Sequence, residues 1–168
     1  MLFRSDGLHA FVQELPFYSG SDYFDPGENA SFAQGARSED LTRLTYPDKA
    51  FDLILTSETL EHVPDLNAAL GEIHRVLAVG GRHVFTVPVL PGTKQTYPRA
   101  TVQADGSILD RSPRICHPGG DWGYPVFTEL GTDLPALLTA AGFQSEVHFG
   151  PVSEDDLAQV YVCRKAPG

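Results

Sequence analysis

The spacing of apolar residues changes twice within residues 51–89, FDLILTSETLEHVPDLNAALGEIHRVLAVGGRHVFTVPV. DLILTS is a near-continuous apolar run, which suits a parallel strand covered on both faces. After it, Pro64 and Asp65 open a segment in which Leu66, Ala69, Leu70, Ile73, Val76 and Leu77 recur at helical spacing. Glu72, His74 and Arg75 fall off that stripe. Gly80 and Gly81 supply a helix stop, where a left-handed residue is needed, and RHVFTVPV reads as the next strand. Two parallel strands joined through a helix take a right-handed crossover. The polar loop SETLEH then stands at the carboxyl end of the first strand, the edge at which open α/β sheets bind small ligands.

The flanks extend this pattern. Leu8, Phe11, Val12 and Leu15 predict a helix with one apolar face, capped by Ser5 or Asp6 and ended before Pro16. A short strand is expected from Tyr18, with Asp22 near its carboxyl end. DPGENASFAQGARSED is loop-like, with room for one short strand. Residues 90–126 are rich in Pro, Gly and polar residues, and Asp105-Gly106 inside them signals a hairpin. A helix over residues 133–141 follows, with Pro135 in its first turn and Gly142 at its stop. Strands near residues 145–149 and 159–164 close the chain.

With 168 residues, one domain spanning 1–168 is expected, with 90–126 as an excursion suited to a substrate lid. The net charge of −10 and the lack of any basic run exclude nucleic acid as a partner. No apolar run is long enough to span a bilayer, and the N-terminus has no signal-peptide pattern. The expectation is therefore no membrane association and a cytoplasmic location. Cys116 and Cys163 form no metal-type spacing and are read as free thiols. The six histidines carry no strong metal signature, so no metal is expected.

Three blocks, RSEDLTRLTYPDKAFDLILTSETLEHVPD, EIHRVLAVGGRHVFTVP and LLTAAGFQSEVHF, lie in this order along the chain. Together they resemble the class I S-adenosylmethionine (SAM)-dependent methyltransferases, in particular the type 11-like domain. The resemblance implies an α/β, Rossmann-like sheet, mostly parallel, ending in an antiparallel hairpin. It also implies SAM as methyl donor and a small-molecule acceptor.

Carried over by position, the resemblance gives Asp40 the adenine amino group and Leu41, through its backbone N–H, the adenine ring. A carboxylate suits an exocyclic amine because it only accepts hydrogen bonds. The alternative is that Glu39 and Asp40 are ordinary solvated loop acids. Thr56, Ser57 and Glu58 match the segment lining the methionine side of the cofactor. Asp22 matches the acid that binds the ribose hydroxyls, with Asp25 competing for the role. Glu61 and His62 match an "EH" dipeptide, and His62 is either a general base or a helix-start residue. RICHPGGDWG resembles the substrate loop of one methyltransferase subgroup, making His117 and Asp121 further catalytic candidates. Asp52 is assigned to structure.

One part of the family pattern is missing. These enzymes normally begin with a strand and an acidic, glycine-rich loop that lets backbone approach the cofactor. Here only Ser5-Asp6-Gly7 stands where that loop should end, and Gly7 is its remnant. The fold is therefore expected to be N-terminally truncated. Leu2-Phe3 gives a stub of the central strand, or a homodimer or partner chain completes the sheet, or the chain is a fragment. Two functions stay open. One is methyl transfer from SAM to a small molecule; the other is a non-catalytic, degenerate domain acting through a partner or dimer. A nicotinamide-dependent oxidoreductase is disfavoured, because the FD…EH…GG order belongs to methyltransferases.

Overall fold

The computed structural model describes residues 2–3 (backbone only), 12–23, 37–89, 92–117, 123–149 and 159–166. Its centre is a seven-stranded sheet. In chain order the strands are β1 (Leu2–Phe3), β2 (Gly20–Asp22), β3 (Arg37–Ser38), β4 (Phe51–Ser57), β5 (Leu77–Thr86), β12 (Phe143–Phe149) and β13 (Gln159–Lys165). Across the sheet they run β12-β13-β5-β4-β1-β2-β3. The pairs from β3 to β5 are parallel, and β13 is antiparallel to both β5 and β12. The predicted mostly parallel sheet with its closing hairpin is thus present. Leu2 and Phe3 pair with Leu55 and Thr56 on one side and with Gly20 and Ser21 on the other, so this two-residue stub lies inside the sheet, between β4 and β2.

Helix α1 (Leu66–Val76) buries the predicted stripe of Leu66, Ala69, Leu70, Ile73 and Val76. Asp65 caps it, its Oδ1 accepting from the Ala68 N–H at 2.9 Å. Helix α2 (Leu134–Ala140) carries Pro135 in its first turn, and Gly142 follows at φ +92°. Both helices share one core with Ile54, Phe85, Tyr161 and Cys163. Ile54 and Thr56 face that core, whereas Leu53 on the opposite face of β4 stays 40% exposed. The expected burial of both faces is therefore incomplete at Leu53, because the described helices cover the Ile54 side.

The predicted helix stop is also corrected. α1 ends at Val76, and Gly80 and Gly81 lie inside β5. The Lys165 ammonium donates to the carbonyls of His74 (2.6 Å) and Leu77 (2.9 Å), satisfying the helix end and complementing its dipole. The glycines serve a bulge instead: the β4–β5 register shifts between Phe51 and Leu53. Gly80 has φ +77°, and a Cβ on Gly81 would lie 2.9 Å from the Ala78 carbonyl. Near the N-terminus, Leu15 is exposed in a turn and does not extend an apolar face. Leu8 and Phe11 lie outside the described residues.

The described residues of the excursion, 92–117 and 123–126, are tied down by ladders. β6 (Tyr97–Pro98) pairs with β11 (Thr128–Glu129), and β7 (Ala100–Val102) forms the predicted hairpin with β8 (Ile108–Asp110). β9 (Cys116–His117) pairs with β10 (Tyr124–Pro125). Arg99, buried, is ion-paired with Glu129 and donates to the Pro113 carbonyl at 2.8 Å. No helix among the described residues is long and apolar enough to cross a membrane.

Candidate active site

The parallel strands direct their carboxyl ends to one edge, and most of the described candidate residues collect there. Asp22 ends β2, half-buried, its Oδ1 accepting from the Tyr23 N–H at 2.8 Å. Asp40 follows β3 and is exposed; its Oδ1 accepts from the backbone N–H and hydroxyl of Thr42 at 2.8 and 2.7 Å, fixing a tight turn. Leu41 turns its side chain into the core, which leaves only its backbone to the edge. Gly7, Asp25 and Asp121 lie outside the described residues.

Two assignments change. Glu39 is not a solvated acid: it is 2% exposed and accepts from the Thr45 N–H and hydroxyl at 2.9 and 2.6 Å, with Arg37 3.3 Å away. Thr56 does not present its hydroxyl to the edge. Strand alternation puts that side chain on the helix-covered face, where it hydrogen-bonds buried His83 at 2.9 Å. Ser57 Oγ lies 3.2 Å from Thr86 Oγ1 across the β4–β5 pair.

The loop bearing Asp40 and Leu41 is braced from α1. The Arg75 guanidinium donates to the carbonyls of Leu44 and Tyr46, both at 2.9 Å, and to Asp48 and Glu72, both at 2.8 Å. Glu72 also accepts from the Leu44 N–H at 2.8 Å. The guanidinium holds the Glu72 carboxyl below the usual carboxylate range.

Beyond β4, the chain turns sharply. Glu58 takes φ +46°, a left-handed conformation uncommon outside glycine, and its N–H donates to the Thr86 carbonyl at 3.0 Å. Thr59 then leads into the 3-10 turn Leu60–His62, anchored by fully buried Leu60. The excursion docks on this turn. The Phe127 N–H donates to the Glu61 carbonyl at 2.8 Å, and His62 Nδ1 lies 2.8 Å from the Pro125 carbonyl.

That docking assembles Glu61, His62 and His117. His117 Nδ1 is 3.1 Å from His62 Nε2, and the rings meet edge to face. Glu61 Oε1 lies 3.7 Å from His62 Nε2 and 3.6 Å from His117 Nδ1. Glu61 is 1% exposed, and among the described residues neither carboxylate oxygen has a partner in hydrogen-bond geometry. Burial pushes its carboxyl up to about 8; its own backbone N–H offsets part of this, and the charge of Glu58 adds to it. Sequence reasoning named both histidines but passed over Glu61 as a chemical group. An acid four residues beyond a buried strand, next to Leu60, is the signal the sequence offers. A groove of about 510 Å³ beside the start of α1, lined by Asp65, Asn67, Tyr97, Val102 and Thr128 among others, shares no residue with this cluster.

Residues 22–85 match the family described as "Methyltransferase domain". Over 112 residues the chain is 38% identical to a ubiquinone biosynthesis O-methyltransferase of Paramagnetospirillum magneticum, covering 64% of this chain and 41% of that protein. Over 39 residues it is 51% identical to the ubiquinone/menaquinone biosynthesis C-methyltransferase UbiE of Xanthomonas oryzae, covering 23% of this chain and 15% of that protein. The chain thus spans well under half the length of these curated relatives. Among solved structures, the 1,6-didemethyltoxoflavin-N1-methyltransferase of Burkholderia thailandensis, with bound 1,6-didemethyltoxoflavin and S-adenosylhomocysteine, superposes with a TM-score of 0.61 at 20% identity, over 99% of this chain and 70% of that one. A SAM-dependent methyltransferase of Mesorhizobium loti superposes with a TM-score of 0.53 at 20% identity, over 86% and 78% of the two chains. Residues 22–85 are thus similar to the methyltransferase domain, and the chain as a whole shares the fold of solved SAM-dependent methyltransferases.

Proposed function

We propose that this chain transfers a methyl group from SAM to a small-molecule acceptor, with an oxygen of a quinone-type precursor as the methylated atom. The observation that carries this reading is the 38% identity to a ubiquinone biosynthesis O-methyltransferase, which runs over 112 residues. The chemistry of the edge fits the cofactor. Carboxylates at Asp22 and Asp40 suit hydroxyl and amino donors, because they offer acceptor atoms only. Asp22 takes the ribose hydroxyls, and Asp40 with the Leu41 N–H takes the adenine. The backbone of Thr56, Ser57 and Glu58 lines the methionine side, and the remnant role of Gly7 belongs to the same proposal.

SAM supplies an electrophilic methyl group, so the chain's part is chiefly alignment and exclusion of water. His62 and His117, with Glu61 behind them, form a polar face against which an acceptor oxygen is held and can lose its proton. His117 and Tyr124, paired across β9 and β10, wall the acceptor on this side of the site.

The test is incubation with methyl-labelled SAM and a phenolic or quinol acceptor lacking one methyl group. Label in the acceptor together with stoichiometric S-adenosylhomocysteine supports the reading. If neither the acceptor nor any small-molecule extract gains label, the non-catalytic alternative takes its place.

A further inference from the structure

We propose that Glu61, His62 and His117 form the binding site of one divalent transition-metal ion, of the Zn2+ type. The geometry of the donors carries this. Glu61 Oε1, His62 Nε2 and His117 Nδ1 form a triangle with sides of 3.7, 3.6 and 3.1 Å. Ligand bonds of about 2.0–2.2 Å opening at a tetrahedral angle leave donor atoms roughly 3.4 Å apart. Three donors contributed by two separate elements thus already stand at the spacing a shared ion requires.

The surroundings support the same reading. His62 Nδ1 faces the Pro125 carbonyl at 2.8 Å, so Nδ1 carries the proton and Nε2 presents its lone pair towards Glu61 and His117. A backbone carbonyl behind the distal ring nitrogen is the usual outer partner of a metal-bound histidine. Glu61 is a buried carboxyl whose two oxygens accept no hydrogen bond from the described residues, a costly arrangement that a facing cation relieves. Without an ion, a proton must lie between the two imidazoles at 3.1 Å; with one, both nitrogens become ligands.

The donor set selects the ion. Two imidazoles and one carboxylate suit zinc or its first-row neighbours, whereas Mg2+ and Ca2+ favour oxygen donors throughout. Three protein ligands leave a coordination position open. The histidine side chains are 19% and 35% exposed, against 1% for Glu61, so the open position faces away from the carboxylate. Cys116 precedes His117 in a strand, where successive side chains point to opposite faces, and is not a ligand. An ion here would hold and acidify an acceptor oxygen; that role rests on the methyl-transfer reading, whereas the binding itself does not.

The test is calorimetric titration of Zn2+ into the full chain after treatment with a chelator and its removal. One equivalent should bind, at least 100-fold more weakly in His117→Ala and in Glu61→Gln, and unchanged in Cys116→Ser. Circular dichroism of each metal-free variant checks folding, and His117→Ala carries the test if Glu61→Gln does not fold. Co2+ loading should give visible d–d absorption that His117→Ala abolishes, without a thiolate charge-transfer band. Absence of Zn2+ binding, wild-type affinity in His117→Ala, or a thiolate band overturns the site. Titration with S-adenosylhomocysteine in chelator separates the two readings. Cofactor binding without Zn2+ binding removes the ion site alone, and Zn2+ binding without cofactor binding removes the methyl-transfer reading alone.

Discussion

The ring nitrogens His117 Nδ1 and His62 Nε2 lie 3.1 Å apart although 55 positions separate them in the sequence. Both elements that hold them meet at the 3-10 turn beyond β4. One supplies Glu61 and His62 directly, and the other reaches it through the Phe127 N–H, bonded to the Glu61 carbonyl at 2.8 Å. The excursion is therefore part of the wall of the candidate site and not an appendage to it.

His62 is predicted to matter for turnover more than for cofactor affinity. Its replacement by Ala should lower kcat/KM about 100-fold or more, whether the imidazole takes the acceptor proton itself or holds an ion that acidifies it. S-Adenosylhomocysteine affinity should stay near wild type. Steady-state kinetics beside calorimetry separate the two effects, and an unchanged kcat/KM would remove His62 from the chemistry.

Arg75 braces the loop that carries Asp40 and Leu41, donating to two backbone carbonyls and two carboxylates. Arg75→Met should cost about 1–3 kcal/mol, the scale for leaving partly buried acceptors unpaired. The same change should weaken S-adenosylhomocysteine binding. Urea unfolding and calorimetry check both effects; full cofactor affinity in the variant would uncouple this loop from the adenine.

His83 should make stability fall in acid. Complete burial pushes its pKa down to about 3, while the unfolded chain takes up the proton near the ordinary value. The unfolded state thus binds more protons between those values. The contribution is fully present above the unfolded pKa and is lost as pH falls towards about 3, by up to about 1.4 kcal/mol per pH unit. His83→Gln should flatten this slope by one proton in urea titrations at pH 7, 6, 5 and 4. An identical slope in both proteins would contradict the assignment.

The two thiols should differ in reactivity. Cys116 is exposed, whereas Cys163 is fully buried and burial pushes its thiol up to about 12. A thiol reagent should modify one equivalent in the native protein and the second only on unfolding. Rapid modification of both in the native state would mean the β5–β13–β12 region opens readily.

The strand–helix–strand unit was legible because its signals are local. The stripe from Leu66 to Val76, the Asp65 cap and the Asp105-Gly106 turn each act within a few residues, and each stands where the periodicity put it. The misread features depend on distant partners. α1 ends at Val76 with Lys165, 88 positions beyond Leu77, satisfying its carbonyls, so Gly80 and Gly81 were free to form a bulge. Thr56 turns to His83 because β4 alternates, which its run of apolar letters concealed. The burial of Glu61 and its approach to His117 come from the docking of the excursion, which no local pattern encodes.

The most direct test of the central claim is calorimetric titration of S-adenosylhomocysteine into the chain and its Asp22→Ala variant. The account predicts one site with a Kd of about 1–100 μM, near −8 to −5 kcal/mol, weakened at least tenfold by Asp22→Ala. No detectable heat at millimolar ligand, or equal affinity in the two proteins, would contradict it.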